Sequence, residues 1–205
     1  MTFEELGLRS EVLKSLTELG FEAPTPIQEK AIPYLMQEDC DFVGLAQTGT
    51  GKTAAFGLPL INNIDTKARL PQGLIICPTR ELCLQIAKDL NVFAKYLDCN
   101  ITAVYGGTDI RKQITDIKKG TSIIVATPGR LVDLMNRKVI QLSQVRYVVL
   151  DEADEMLNMG FKEDIDAVLE TTPIDKNVWL FSATMPAEVA RIAKTYMHDP
   201  LEVSI

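Results

Sequence analysis

Short apolar runs rich in β-branched residues alternate along the chain with longer stretches in which apolar residues recur every three or four positions. The runs at residues 41–45, 74–77, 101–105, 122–126, 146–150, 178–181 and 201–205 read as strands, with helices between nearly every neighbouring pair. Runs such as Tyr147-Val148-Val149-Leu150 offer no polar face and suit burial on both sides. This rhythm predicts an α/β domain, with a mostly parallel central sheet and helices on both faces. Ligands of such sheets gather at the carboxyl ends of the strands. The first 38 residues differ. Val12, Leu13, Leu16 and Leu19 make one face of a short helix ending at Gly20, and a second helix starts at Thr25-Pro26. With no repeat, low-complexity tract or long linker, the reading is a helical extension over 1–38 and one domain over 39–205.

Composition removes several classes. Of 205 residues, 46% are hydrophobic and 24% charged, which excludes a disordered chain. The 28 acidic against 21 basic side chains leave a net charge of -7, so no general basic coat holds nucleic acid, and any polyanion must be met locally. Cys40, Cys77, Cys83 and Cys99 form no C-x-x-C pair and His198 is the sole histidine, which argues against a structural metal and suits a reducing compartment. The N-terminus opens on acid rather than a basic leader, and the apolar runs are too short to span a bilayer, so a cytoplasmic protein without membrane contact is expected.

The sharpest chemical signal is Ala46-Gln47-Thr48-Gly49-Thr50-Gly51-Lys52-Thr53, between a strand and the helix-like segment 52–64. Glycines let backbone N–H groups wrap a phosphate, the helix N-terminus favours negative charge, Lys52 reaches β and γ oxygens, and the Thr53 hydroxyl suits Mg²⁺. Ala46 departs from the general pattern, which begins with glycine. A plain tight turn is an alternative. So is a dinucleotide loop, although the next strand ends in Pro78 rather than an acid for a ribose. The strand ending in Asp151-Glu152 adds a second signal: Asp151 would hold Mg²⁺ and Glu152 would orient or deprotonate a water. Acid at a helix start also explains either carboxylate singly.

Taken together these motifs resemble the DEAD-box family of ATP-dependent RNA helicases. Asp151-Glu152-Ala153-Asp154 spells the family name, and the family's own phosphate loop begins with alanine. Gly20-Phe21-x-x-Pro24-x-x-Ile27-Gln28, Pro78-Thr79-Arg80-Glu81-Leu82, Gly106-Gly107, Thr127-Pro128-Gly129-Arg130 and Ser182-Ala183-Thr184 follow in family order through almost the whole chain. The resemblance implies a RecA-like domain that takes ATP with Mg²⁺, with Gln28 reading the adenine edge and Phe21 packing near the base. It implies RNA contacts at Pro78, Thr79, Arg80, Gly106, Gly107, Thr127, Pro128, Gly129 and Arg130, made to the backbone without base reading. It also implies that Ser182 and Thr184 bond Asp154 and couple the ATP site to the rest of the motor. From residue types alone, Thr25 to Gln28 is equally a capping box, and the glycines and threonines of the RNA-facing segments are equally turns and caps.

The family sets two such domains around a cleft, the second contributing arginines through a His-Arg-x-Gly-Arg motif that has no counterpart in these 205 residues. The expectation is therefore a first domain that binds nucleotide but turns it over very slowly. A non-catalytic RNA clamp, and a phosphate-loop ATPase acting on protein or DNA, are the rival readings. Charge by segment sharpens the partner: residues 1–41 carry 3 basic and 9 acidic groups, residues 42–150 carry 14 and 7, and residues 151–205 carry 4 and 12. The one positive segment holds the phosphate loop and all three RNA-facing motifs, with Arg111, Lys112, Lys118 and Lys119 as outer contacts.

Overall fold

The computed structural model describes residues 1–37 and 39–205. A short 3₁₀ turn, Glu4–Leu6, precedes α1 (Ser10–Glu18) and α2 (Pro26–Leu35). The alternating part runs β1 (Phe42–Leu45), α3 (Lys52–Asn63), β2 (Gly73–Ile76), α4 (Arg80–Phe93), β3 (Ile101–Val104), α5 (Ile110–Lys118), β4 (Ile123–Ala126) and α6 (Pro128–Asn136). It continues with β5 (Tyr147–Leu150), α7 (Ala153–Asn158), α8 (Lys162–Thr171), β6 (Asn177–Ser182), α9 (Ala187–Tyr196) and β7 (Leu201–Ser204).

The strands form one sheet in the order β3-β4-β2-β5-β6-β1-β7, and every pairing among them is parallel. Parallel neighbours cannot be joined by a hairpin, so each connection crosses a face of the sheet, usually as a helix. The period of two then divides the core. Phe42, Ile75, Val125, Val149, Trp179 and Phe181 meet α1 to α4 on one face. Val43, Ile76, Ile124, Val148, Leu150 and Leu180 meet α6 to α9 on the other. Residues on both faces of β2, β4, β5 and β6 are buried, which is why those strands read as continuous apolar runs.

The N-terminal segment shares this core: Val12, Leu16, Ile27, Ala31, Ile32 and Leu35 belong to the same apolar cluster as Phe42 and Phe181. The boundary expected at residue 38 falls on Glu38, outside the described residues. Leu19, expected on the buried face of α1, is 42% exposed, because the helix ends at Glu18 and Leu19 is its cap. Among the described residues no helix is long and apolar enough to cross a membrane, and no cluster of three metal-ligating side chains occurs. All four cysteines are free thiols.

The start of β1 is pinned by a buried carboxylate. Asp41 accepts the Val178 N–H at 2.7 Å and the His198 N–H at 2.6 Å, tying β6 and the approach to β7 to the strand that leads into the phosphate loop. Asp41→Ala strands two amides at once, and should lower unfolding free energy by roughly 3 kcal/mol. A denaturant titration in which this variant matches the parent would contradict that role.

Candidate functional site

Loops at the carboxyl edge of the sheet fall into two groups. Those after β1, β5 and β6 lie together on one side of the strand order, and those after β2, β4 and β3 on the other. The phosphate loop follows β1 and the Asp151-Glu152 pair follows β5, with β6 between them. Two strand spacings, about 10 Å, thus separate the backbones, and the Lys52 side chain crosses the interval. Its Nζ stands 3.8 Å from Asp151 Oδ1 with both groups buried.

That ammonium has no hydrogen-bond partner among the described residues. A buried cation with three open donors is costly unless something anionic meets it. Asp151 only partly serves, being beyond hydrogen-bond range. Burial pushes the Asp151 carboxyl up to about 6, with Lys52 pulling the other way. Its Oδ1 also accepts the Glu152 N–H at 3.0 Å. Glu152 sits at φ +52°, a left-handed backbone uncommon outside glycine, and it faces the cleft as α7 begins.

The cleft in front of Lys52 encloses about 580 Å³ and is also lined by Phe21, Gln28, Thr48, Gly49, Gly51 and Thr53. This volume lies in the range of small-molecule sites. Phe21 owes its place to the end of α1, where its N–H bonds Leu16 C=O at 3.0 Å and the Gly20 N–H bonds Thr17 C=O at 3.1 Å, a Schellman turn. Phe21 is 37% exposed, and its ring packs against those of Phe3 and Phe93 at centroid distances of 5.9 and 6.0 Å.

Gln28 does two things at once. Its Oε1 accepts the Thr25 N–H at 3.0 Å, completing the capping box of α2, and its Nε2 donates to Gly51 C=O at 3.1 Å. Thr25 Oγ1 donates to Thr50 C=O at 2.9 Å. The cap of α2 therefore clamps the phosphate loop through two consecutive carbonyls. One amide proton and one oxygen lone pair of Gln28 remain for a ligand in the cleft.

Not every loop residue lines the cleft. Ala46 is buried and donates its N–H to Ser182 C=O at 3.0 Å, extending the β1–β6 ladder. Its backbone is not left-handed, so the position does not require glycine. Gln47 is exposed, and its C=O accepts the Thr50 hydroxyl at 2.7 Å, closing the turn. Sequence reasoning missed the opposite wall, formed by Leu82, Gln85, Lys88, Asp89, Val92 and Phe93 of α4. Their spacing marks a helix face, but spacing alone does not say that the face meets a cleft.

Ser182, the last residue of β6, and Thr184, just beyond it, meet Asp154. The Asp154 N–H donates to Ser182 Oγ at 3.2 Å, and its carboxylate accepts from Thr184 Oγ1 at 2.8 Å and Thr184 N–H at 3.1 Å. Burial alone would raise this carboxyl, but the hydrogen bonds from Thr184 and Ser182 hold it below its ordinary value.

On the other half of the edge, Thr79 caps α4 by accepting the Leu82 N–H at 3.2 Å, following Pro78. The Arg80 guanidinium lies 5.2 Å from the centre of the Tyr105 ring, next to Gly106 and Gly107. Pro128 and Gly129 open α6 after Thr127, whose side chain makes no cap bond, and Arg130 reaches back to the loop after β3. Of the expected outer contacts, Arg111 pairs with Asp109 at 2.6 Å and Lys112 with Asp116 at 3.2 Å, so local carboxylates already meet both charges.

The family model for DEAD/DEAH box helicases matches residues 25–192. The DEAD-box ATP-dependent RNA helicase CshA of Bacillus cereus is 50% identical over 204 residues, covering all of this chain and 39% of that protein. The ATP-dependent RNA helicase CshA of Limosilactobacillus reuteri is 51% identical over 205 residues, 41% of its own length. The chain thus spans about two fifths of these curated relatives. The crystal structure of a DEAD box protein from the hyperthermophile Methanococcus jannaschii superposes with a TM-score of 0.95 at 42% identity, covering all of this chain and 56% of that one. A hypothetical ATP-dependent RNA helicase from Sulfolobus tokodaii gives 0.90 at 36%, covering 97% and 57%.

The clamp on the phosphate loop separates two glycines of nearly equal backbone. Gly49 and Gly51 have φ of +81° and +89°, yet a Cβ at Gly49 meets nothing within 4 Å while one at Gly51 falls 2.5 Å from Gln28 Nε2 and 2.9 Å from Thr25 Oγ1. Both alanine variants carry the left-handed cost of about 1 kcal/mol, but Gly51→Ala must also break the clamp. It should therefore melt at a clearly lower temperature than Gly49→Ala. Equal melting temperatures would show that the clamp contributes nothing.

Proposed function

Because the chain belongs to the DEAD/DEAH box helicase family, we propose that it is the ATP-binding, RecA-like first domain of an ATP-dependent RNA helicase, acting in the cytoplasm. Residues 1–38 form its adenine-recognising extension and 39–205 the nucleotide-binding domain. The observation that carries this reading is the buried ammonium of Lys52, without a hydrogen-bond partner among the described residues and aimed into a cleft walled by Phe21 and Gln28. An anion with an aromatic base attached answers both ends of that cleft.

In this reading the phosphate loop, from Ala46 to Thr53, wraps the phosphates with backbone N–H groups, and Lys52 meets their β and γ oxygens. Gln28 accepts from the adenine amino group and donates to the ring nitrogen beside it, using the hydrogen-bonding capacity left free by Thr25 and Gly51. Thr53 and Asp151 are oxygen donors of the kind a hard divalent cation takes, and both line the cleft. Mg²⁺ bound there, partly through water, would supply charge neutralisation along the phosphates. Glu152, held over the cleft by its left-handed backbone, orients the attacking water and accepts its proton. Asp154, gripped by Ser182 and Thr184, carries the state of the site to the loop after β6.

RNA lies across the other half of the edge, against Pro78, Thr79, Arg80, Gly106, Gly107, Thr127, Pro128, Gly129 and Arg130. Helix N-termini, small residues and two guanidiniums suit a sugar-phosphate backbone and leave base sequence unread. A second RecA-like domain, in the part of the longer relatives that this chain does not span, completes the cleft with arginines. Without them, turnover falls by about 10³–10⁵.

The 205-residue chain is thus expected to bind a fluorescent ADP analogue, with affinity lowered at least about tenfold by Lys52→Ala. RNA-stimulated ATPase should appear only in a protein carrying both domains, and Glu152→Gln there should reduce it by roughly 10²–10⁴ while ATP still binds. Stimulation by DNA but not RNA would refute the substrate class, and equal turnover by the Glu152 variant would remove that residue from the chemistry. Gln28→Ala should erase the preference for ATP over GTP; a preference left intact would mean that the amide serves only the clamp.

A further inference from the structure

The three RNA-facing segments leave from β2, β3 and β4, and one side chain outside all of their motifs joins them. Gln113, on α5, is 6% exposed. Its Nε2 donates to Tyr105 C=O at 3.0 Å and to Thr108 Oγ1 at 3.3 Å. Its Oε1 accepts the Tyr105 N–H at 3.3 Å and Arg130 Nη1 at 3.1 Å. A side-chain amide has two donors and two lone pairs, and here all four are engaged. Arg130 Nη2 also donates to Thr108 C=O at 3.0 Å, which holds the guanidinium at two points. Tyr105, gripped by both main-chain groups, presents its ring to Arg80 at 5.2 Å. The two arginines assigned to RNA are thus fixed to one node, Arg130 directly and Arg80 through the ring.

We propose that Gln113 is the positioning residue of the RNA surface: it holds Arg130 and, by way of Tyr105, Arg80 in the orientation in which they meet a sugar-phosphate backbone. The inference rests on the RNA reading given above. Long cationic side chains lose rotamer freedom when they bind, and a side chain already held in place loses less. Gln113 neutralises no phosphate itself, so its contribution lies in affinity and not in the number of ions displaced. A residue that merely caps the edge of the sheet would affect folding and leave the response to Arg130 unchanged.

The test measures binding of the 205-residue chain to a fluorescein-labelled single-stranded oligouridylate by anisotropy across a salt series, beside its affinity for a fluorescent ADP analogue. Gln113→Ala should weaken RNA binding by about tenfold with ADP affinity unchanged and the salt slope unaltered. Arg130→Ala should weaken RNA and reduce the slope by about 0.7, one phosphate contact on a single strand. Added to Arg130→Ala, the Gln113 change should cost distinctly less than it does alone, since part of its task has gone. Gln113→Glu keeps an acceptor for Arg130 but cannot donate to Tyr105 and Thr108, and should fall between the parent and Gln113→Ala. The proposal is overturned by an unchanged RNA affinity, by a Gln113 loss of equal size in both backgrounds, or by RNA and ADP affinities that fall together. RNA binding sensitive to Arg130 but indifferent to Gln113 overturns this inference alone, whereas a parent chain that binds no RNA removes the RNA reading and this inference with it.

Discussion

A parallel strand cannot turn straight back into its partner, and most of this structure follows from that constraint. Each connection must cross a face, so every strand delivers its carboxyl end to the same edge of the sheet. Because the chain moves outward to β3 and later returns to β5 and β6, that edge is divided between two sets of loops. The acidic pair after β5 reaches the phosphate loop across a single intervening strand, β6. The same β6 carries Ser182 and, just beyond its end, Thr184 to Asp154, so the strand that spaces the two halves of the cleft is also bonded to the acidic segment after β5.

The cleft depends on polar groups used twice. Gln28 and Thr25 finish a helix and hold the phosphate loop, so the base-reading residue proposed here is part of the loop's own scaffold. Capping and recognition, opposed readings of the same four residues in the sequence, are compatible because an amide has more hydrogen-bonding capacity than a cap consumes. Asp41 does similar work lower in the sheet, where one carboxylate satisfies amides from two later segments.

Much of this was legible in the residues. Runs of apolar and β-branched residues located the seven strands of the sheet to within a residue of their ends. In β2, β4, β5 and β6 burial on both faces leaves little room for polar residues, whereas β3 is half-buried and β7 largely exposed. Where the ends shifted, main-chain bonds explain it: β6 begins at Asn177 because its N–H continues the ladder to Arg146 C=O. Local motifs likewise placed Lys52, Asp151 and the loop glycines. Contacts between distant segments were not legible. The α4 wall of the cleft and the bond from Arg130 to Gln113 depend on which surfaces the crossovers bring together, and residue spacing does not encode that. The pairings of Arg111 with Asp109 and of Lys112 with Asp116, by contrast, are local to α5 and its cap and follow from spacing.

Trp179, the only tryptophan, lies wholly inside the sheet on β6, its indole N–H donating to Cys40 C=O at 3.2 Å and its ring 5.1 Å from that of Tyr147. It does not line the cleft. The protein therefore carries a built-in optical probe that sees the join between β1, β5 and β6 and little of what enters from solvent. Its emission separates loss of the sheet from changes confined to the loops above it, without any added label.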